Sequence, residues 1–336
     1  MVFDMVARMK RDHYIAQTYL KHFGDSNVGG RMHAYRKSGK SSFQPWPADV
    51  CADWNDDLNV AFLPHNPEML GEYRAIFEPM WNPTIEKIAS RSPTPEDKFA
   101  IAGYLANLMT CTPTWRRVGV EILNDHARGF LYFSKEMKDR YGGNANLPDE
   151  AIEMMKAGQI ALEHDPDYVK AKVTRRLLDM AWIIFNQNWT VLTGAASQKF
   201  VTSDNPSAIS YAGPGDLLTR YFPLTPDMCV EVAFTNPRPK QPVLGDSPPW
   251  KNESTPPVRY KPVAPAEIRR VNKLVIQNAE EMVFSSESSV AIEKLTHKLG
   301  QYRVTVEYVE YPDPDGKSVL QGSILRVSPS DAQRRR

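Results

Sequence analysis

Phe200-Val201-Thr202-Ser203-Asp204-Asn205-Pro206, followed by Arg220-Tyr221-Phe222-Pro223-Leu224-Thr225-Pro226, decides the fold class. Both runs carry β-branched and aromatic residues and end in polar and proline punctuation, as a strand does where it meets a turn. Asn205 precedes Pro206 and is biased out of the helical region, so Asp204 falls where a strand stops and the backbone bends. Further strand candidates flank these runs at 189–193, 207–211 and 228–234. Short strands at this spacing predict an antiparallel or mixed sheet, not a βαβ array.

Upstream, from 67 to 187, the apolar period becomes helical: Leu70, Phe77, Trp81, Ile85 and Ile88, then Phe99, Ala102, Leu105 and Met109, then Trp115, Val118 and Ile122. Thr94-Pro95-Glu96-Asp97 predicts a helix start, Gly142-Gly143 a stop, and Asp165 to about Phe185 a further helix. Nearer the start, Asp12–Phe23 is expected to be a short helix with Ile15, Tyr19 and Phe23 on one buried stripe and His13 and Gln17 sharing another edge. Arg31–Arg36 alternates before Ser38-Gly39-Lys40, which predicts a β-hairpin. Gly39-Lys40-Ser41 is not a phosphate loop, because Ala34 stands where that pattern needs glycine.

Downstream, nine prolines between Pro237 and Pro265 predict an irregular excursion. Helices are expected at Ala264–Glu280 and Ala291–Leu299, and a hairpin pairing Tyr302–Tyr311 with Val319–Val327. The expectation is one α+β domain over 1–336: an N-terminal helix and hairpin (1–66), a helical region (67–187), and a sheet-rich region (188–330) with a proline-rich excursion at 237–265.

With 41 basic and 40 acidic residues among 336, the net charge of +1 exerts no global pull on nucleic acid or membrane. Charge is local instead. Eight basic residues oppose two acidic ones between Arg8 and Lys40, and ten acidic oppose three basic between Asp49 and Asp97. Either these are two solvated faces that attract each other, or the segment 8–40 is a basic groove for phosphates. Cys51, Cys111 and Cys229 are far apart and odd in number, which argues against a disulfide framework or a Cys-x-x-Cys metal clip. No run approaches about 18 apolar residues, so the expected setting is cytoplasmic, without a membrane contact.

His13-Tyr14-Ile15-Ala16-Gln17-Thr18-Tyr19-Leu20-Lys21-His22-Phe23 resembles the opening of the bacterial family known as domain of unknown function 4238. Glu78 in the first long helix, Thr112-Pro113-Thr114-Trp115-Arg116, Thr202–Pro206 and Phe222–Pro226 resemble later blocks in the same order, and Asn272 or Asn278 ahead of Val283-Phe284-Ser285 resembles the last. Ala16 stands where relatives carry proline, and Cys111 where they often carry arginine. The resemblance implies which residues matter more than which reaction they serve.

Asp204 and Asn205 have two readings: a rigid carboxylate with an amide partner for a metal or general base, or a turn closed on main-chain N–H groups. Glu78, between Phe77 and Pro79 in a helix that proline breaks, would supply a second carboxylate for a divalent cation, Mg or Mn. Arg116 follows a proline-initiated helix start and is the expected anion contact. The first functional expectation is therefore a metal-dependent phosphodiester hydrolase, nuclease-like, of bacterial stress or phage-defence type. In it Asp204 and Glu78 ligate the cation, His13 moves protons, Gln17 and Asn205 orient, and Arg116 steadies phosphate. The alternative is a non-enzymatic nucleotide, nucleic-acid or protein-binding module, with the proline-rich segment and Trp250 as contacts.

Overall fold

The computed structural model describes residues 12–39, 42–50, 52–53, 62–63, 65–142, 148–161, 163–194, 197–210, 218–235, 256–312 and 319–329. In chain order the elements are β1 (Asp12–His13), α1 (Gln17–Leu20), β2 (His33–Arg36), β3 (Ser42–Phe43), α2 (Pro47–Val50) and β4 (Ala52–Asp53). The helical region follows as α3 (Met69–Phe77), α4 (Trp81–Ala89), α5 (Pro95–Cys111), α6 (Pro113–Tyr141), α7 (Asp149–Lys156), α8 (Pro166–Thr174) and α9 (Leu177–Phe185). Then come β5 (Asn188–Thr193), β6 (Thr202–Ser203), β7 (Ala208–Ser210), β8 (Thr219–Thr225), β9 (Met228–Ala233) and β10 (Val258–Pro262). The last elements are α10 (Pro265–Asn278), β11 (Met282–Ser285), α11 (Val290–Lys298), β12 (Tyr302–Pro312) and β13 (Val319–Pro329).

Local chemistry sets the helix ends. Thr94 accepts the Asp97 N–H while the Asp97 carboxylate accepts the Thr94 N–H at 2.8 Å, so both orphan donors at the start of α5 are satisfied. Pro79 turns the end of α3 into a 3₁₀ turn at Glu78–Met80 before α4 begins. Gly142 follows α6 at φ 74, a conformation that costs glycine little.

The architecture is α+β. One sheet has the order β10-β5-β9-β8-β7, antiparallel except that β10 runs parallel to β5. A second, antiparallel sheet has the order β3-β2-β11-β6 and joins the N-terminal hairpin to the strand that ends in Asp204. The single C-terminal sheet expected from the strand spacing is thus two. The run at Phe200–Ser203 pairs with β11, far along the chain, a partnership that strand periodicity does not encode.

The largest core cluster is where the N-terminal stripe meets both halves. Ile15, Tyr19 and Phe23 are fully buried against Trp81, Tyr104, Trp189 and Phe222. Tyr19 stacks on Phe222 (centroids 5.6 Å, 14°) and meets Trp81 edge-on at 5.4 Å. Its hydroxyl donates to the Pro223 carbonyl at 2.8 Å and lies 2.5 Å from Thr202 Oγ1. Each such ring removed from water contributes about 2–3 kcal/mol, so this junction fastens the opening segment to both sheets. A second cluster packs α10 against Phe200, Val201 and Val283, and a third seats Val304 of β12 on Trp115 and Val118 of α6.

Three expectations are corrected. The opening helix begins at Gln17, not Asp12, because Ala16 is extended (φ −63, ψ 137) and His13 pairs with Ala52 across β1 and β4. His13 and Gln17 therefore share no helix face. The predicted helix from Asp165 to Phe185 is two helices, with a turn at 175–176. The proline-rich excursion ends in a regular strand, β10, which tolerates Pro262 because it lies at a sheet edge. Residues 236–255, with Trp250, lie outside the described residues, as do Arg8, Lys10, Arg11, Lys40 and Cys51. No helix among the described residues is long and apolar enough to cross a membrane.

Candidate functional site

Asp204 follows β6 and is 3 % exposed. Its Oδ1 accepts the Glu280 N–H at 2.9 Å, and its Oδ2 accepts the N–H groups of Glu281 and Met282 at 2.7 and 2.9 Å. Burial pushes its carboxyl up to about 6, against the pull of these donors and of Lys37. The turn is held from within, since Asn205 N donates to Ser203 Oγ at 3.2 Å. Asp204 thus ties the end of β6 to the start of β11, which is the turn reading extended to a distant piece of chain.

Asn205 Oδ1 accepts Trp115 Nε1–H at 3.1 Å, and its Nδ2 donates to the Asn278 carbonyl at 2.9 Å. Asn278 in turn brackets Ile209, accepting its N–H at 3.0 Å and donating to its carbonyl at 3.2 Å. Glu280 is forked by Arg117, Nε to Oε1 and Nη2 to Oε2, both at 2.9 Å, and accepts Thr114 Oγ1 at 2.9 Å. Burial opposes ionisation of Glu280, yet the Arg117 fork outweighs it and holds the carboxyl below its ordinary value. Arg117 Nη2 also reaches the Val304 carbonyl at 2.9 Å.

Lys37 completes the network from the N-terminal hairpin. Its ammonium donates to the carbonyls of Ala279 at 2.6 Å, of Gln277 at 3.4 Å and of Tyr302. Burial pushes its pKa down to about 8, with Asp204 and Glu280 pulling the other way. Beside it opens a hollow of about 240 Å³ lined by Lys37, Glu280, Glu281, Gly300, Tyr302 and Arg303. A carboxyl titrating near 6 and an ammonium near 8 flank one stretch of main chain, so this network changes charge across the neutral range.

The residues named from the sequence divide as follows. Asp204 and Asn205 lie in the network. Arg116 sits half-buried on α6 beside Arg117, and Arg117 is the arginine that the network uses. Gln17 opens α1 next to Ala16, whose N–H donates to Tyr104 Oη at 3.0 Å, and Tyr104 packs 4.5 Å from Trp81. Glu78 lies one turn before Trp81, half-buried, with its pKa raised by burial against the pull of Arg74. Gln17 and Glu78 therefore flank one aromatic pair in the helical layer. The His13 side chain lies outside the described part of the molecule. Lys37, Thr114, Arg117 and Glu280 were not singled out by the sequence. Thr114 and Arg117 stand within or directly beside a recognised block, which is the one signal that pointed to them.

Among the described residues no group of three His, Cys, Asp or Glu side chains could hold a metal ion. A carboxylate offers about four lone-pair positions, and three at Asp204 face main-chain N–H groups. The donor set at Asp204 does not fit a cation while those bonds stand.

The family model described as a protein of unknown function, DUF4238, matches residues 11–289. No curated protein and no solved structure matches the chain.

Proposed function

The chain belongs to the DUF4238 family of proteins of unknown function, and we propose that it is a binding module for single-stranded nucleic acid, with the β2–β3 hairpin as its contact face. The observation behind this reading is a pair of cation–aromatic stacks on that hairpin. Arg31 lies over the Trp46 ring at 5.2 Å and Arg36 over the Phe43 ring at 5.0 Å. Arg31, Arg36 and Trp46 are exposed. A single strand presents unstacked bases and phosphates; a flat ring receives the first and a guanidinium the second. Stacking on the ring also fixes the guanidinium beforehand, so less freedom is lost on binding. In this reading the Asp204 network holds loops and performs no chemistry.

Titration with an unstructured oligonucleotide at low salt tests it. Trp46 fluorescence should be quenched, affinity should fall with salt, and the double variant Arg31→Ala, Arg36→Ala should bind at least tenfold more weakly. Equal binding by the double variant, or none by the wild type, removes the idea.

The hydrolase alternative, with Mg or Mn held by Asp204 and Glu78, His13 moving protons, Gln17 and Asn205 orienting and Arg116 on phosphate, asks Asp204 to exchange main-chain donors for a cation. It predicts a rise in melting temperature with Mn²⁺ that disappears in Asp204→Asn. The binding-module reading predicts no rise.

A further inference from the structure

The hollow beside Lys37 is distinct from the hairpin face, and it has a donor without an acceptor. Arg303, on β12, lines it, and its Nε–H is buried with no hydrogen-bond partner. The other charged groups there are engaged or turned away. Glu280 is forked by Arg117, and Lys37 donates to three carbonyls. Asp204 faces the N–H groups of 280–282, and Glu281 is exposed at the rim. The walls are rigid on this side: a Cβ at Gly300 would stand 2.4 Å from the Lys37 carbonyl, so the chain entering β12 presses directly on the hairpin. What is left unsatisfied at the inner end is a guanidinium.

We propose that this hollow binds a small oxyanion, a carboxylate or a phosphate, with Arg303 as its anchoring contact and Glu281 as a rim charge that weakens it. The volume of about 240 Å³ admits a molecule of a few heavy atoms and not a polymer. A planar guanidinium is the side chain best shaped to take two oxygens of such a group. Arg303 and Gly300 lie beyond the family-matched residues 11–289, so the site is assembled on the family's polar network by a wall from outside it.

Isothermal titration of the full chain with inorganic phosphate, with acetate and with chloride at constant ionic strength tests the proposal. Saturable binding of phosphate or acetate, and not of chloride, is expected; which of the two binds more tightly identifies the anion class. Arg303→Gln should weaken that binding at least tenfold, while Glu281→Gln should tighten it about threefold, the gain expected from removing one like charge at a solvent-exposed rim. A merely structural role for Arg303 would leave the Glu281→Gln effect absent. No saturable binding to the wild type, or equal affinity in Arg303→Gln with its circular dichroism unchanged, overturns the proposal. Either result leaves the hairpin reading untouched, since oligonucleotide binding is measured separately.

Discussion

Asp204 shows how a carboxylate can be essential to a fold without being available to a ligand. Its pKa in the folded protein, about 6, exceeds the ordinary 3.8, so the folded state holds the proton more tightly than the unfolded chain. The stabilisation that follows is complete below about pH 4 and is lost as pH rises to about 6, on the order of 3 kcal/mol in all. Urea unfolding of wild type and Asp204→Asn between pH 4 and 7 should therefore diverge, with this slope absent from the variant. A constant difference contradicts the assignment. Asp204→Ala strands three N–H groups and should remove about 3–5 kcal/mol. On α6, Arg117→Ala should destabilise by about 1–3 kcal/mol, since the pair is part-exposed, and by more than Arg116→Ala. The sequence pointed to the block and missed the residue, because neighbours on a helix face directions about 100° apart and only the packed partner tells which one turns inward.

At the scale of elements, what could be read from the chain was what is local. The start of α5, the stop of α6, the break at Pro79 and the β12–β13 hairpin all follow from caps, prolines and periods. What could not be read was pairing at a distance: β6 with β11, β2 with β11, and β1 with β4, the last of which draws His13 out of the predicted helix. Thr94→Ala, which removes one half of the capping box, should cost about 1 kcal/mol, with Thr94→Ser restoring most of it. Gly103 is the close-approach point of α3 and α5, where a Cβ would stand 2.3 Å from the Phe77 ring. Gly103→Ala should cost about 1–3 kcal/mol, seen as a lower urea midpoint with an unchanged slope.

For the molecule as a whole, the Tyr19 junction makes the layers interdependent. One ring touches Trp81 of the helical layer and Phe222 of the five-stranded sheet, and its hydroxyl reaches Thr202 of the four-stranded sheet. Far-ultraviolet dichroism and tryptophan fluorescence should then report one coincident unfolding transition. Tyr19→Phe, which leaves the Pro223 carbonyl without this donor, should lower stability by about 1–3 kcal/mol. Two separated transitions in the wild type would mean that the layers fold independently.

The same junction constrains synthesis. Tyr19 and Thr202 are 183 positions apart, and translation at about 5–20 residues per second leaves the early aromatic stripe without its partners for roughly 10–40 s. During that interval Ile15, Tyr19 and Phe23 are sticky, unshielded surface on the ribosome-bound chain, where a chaperone or an aggregate competes for what the finished fold will later cover.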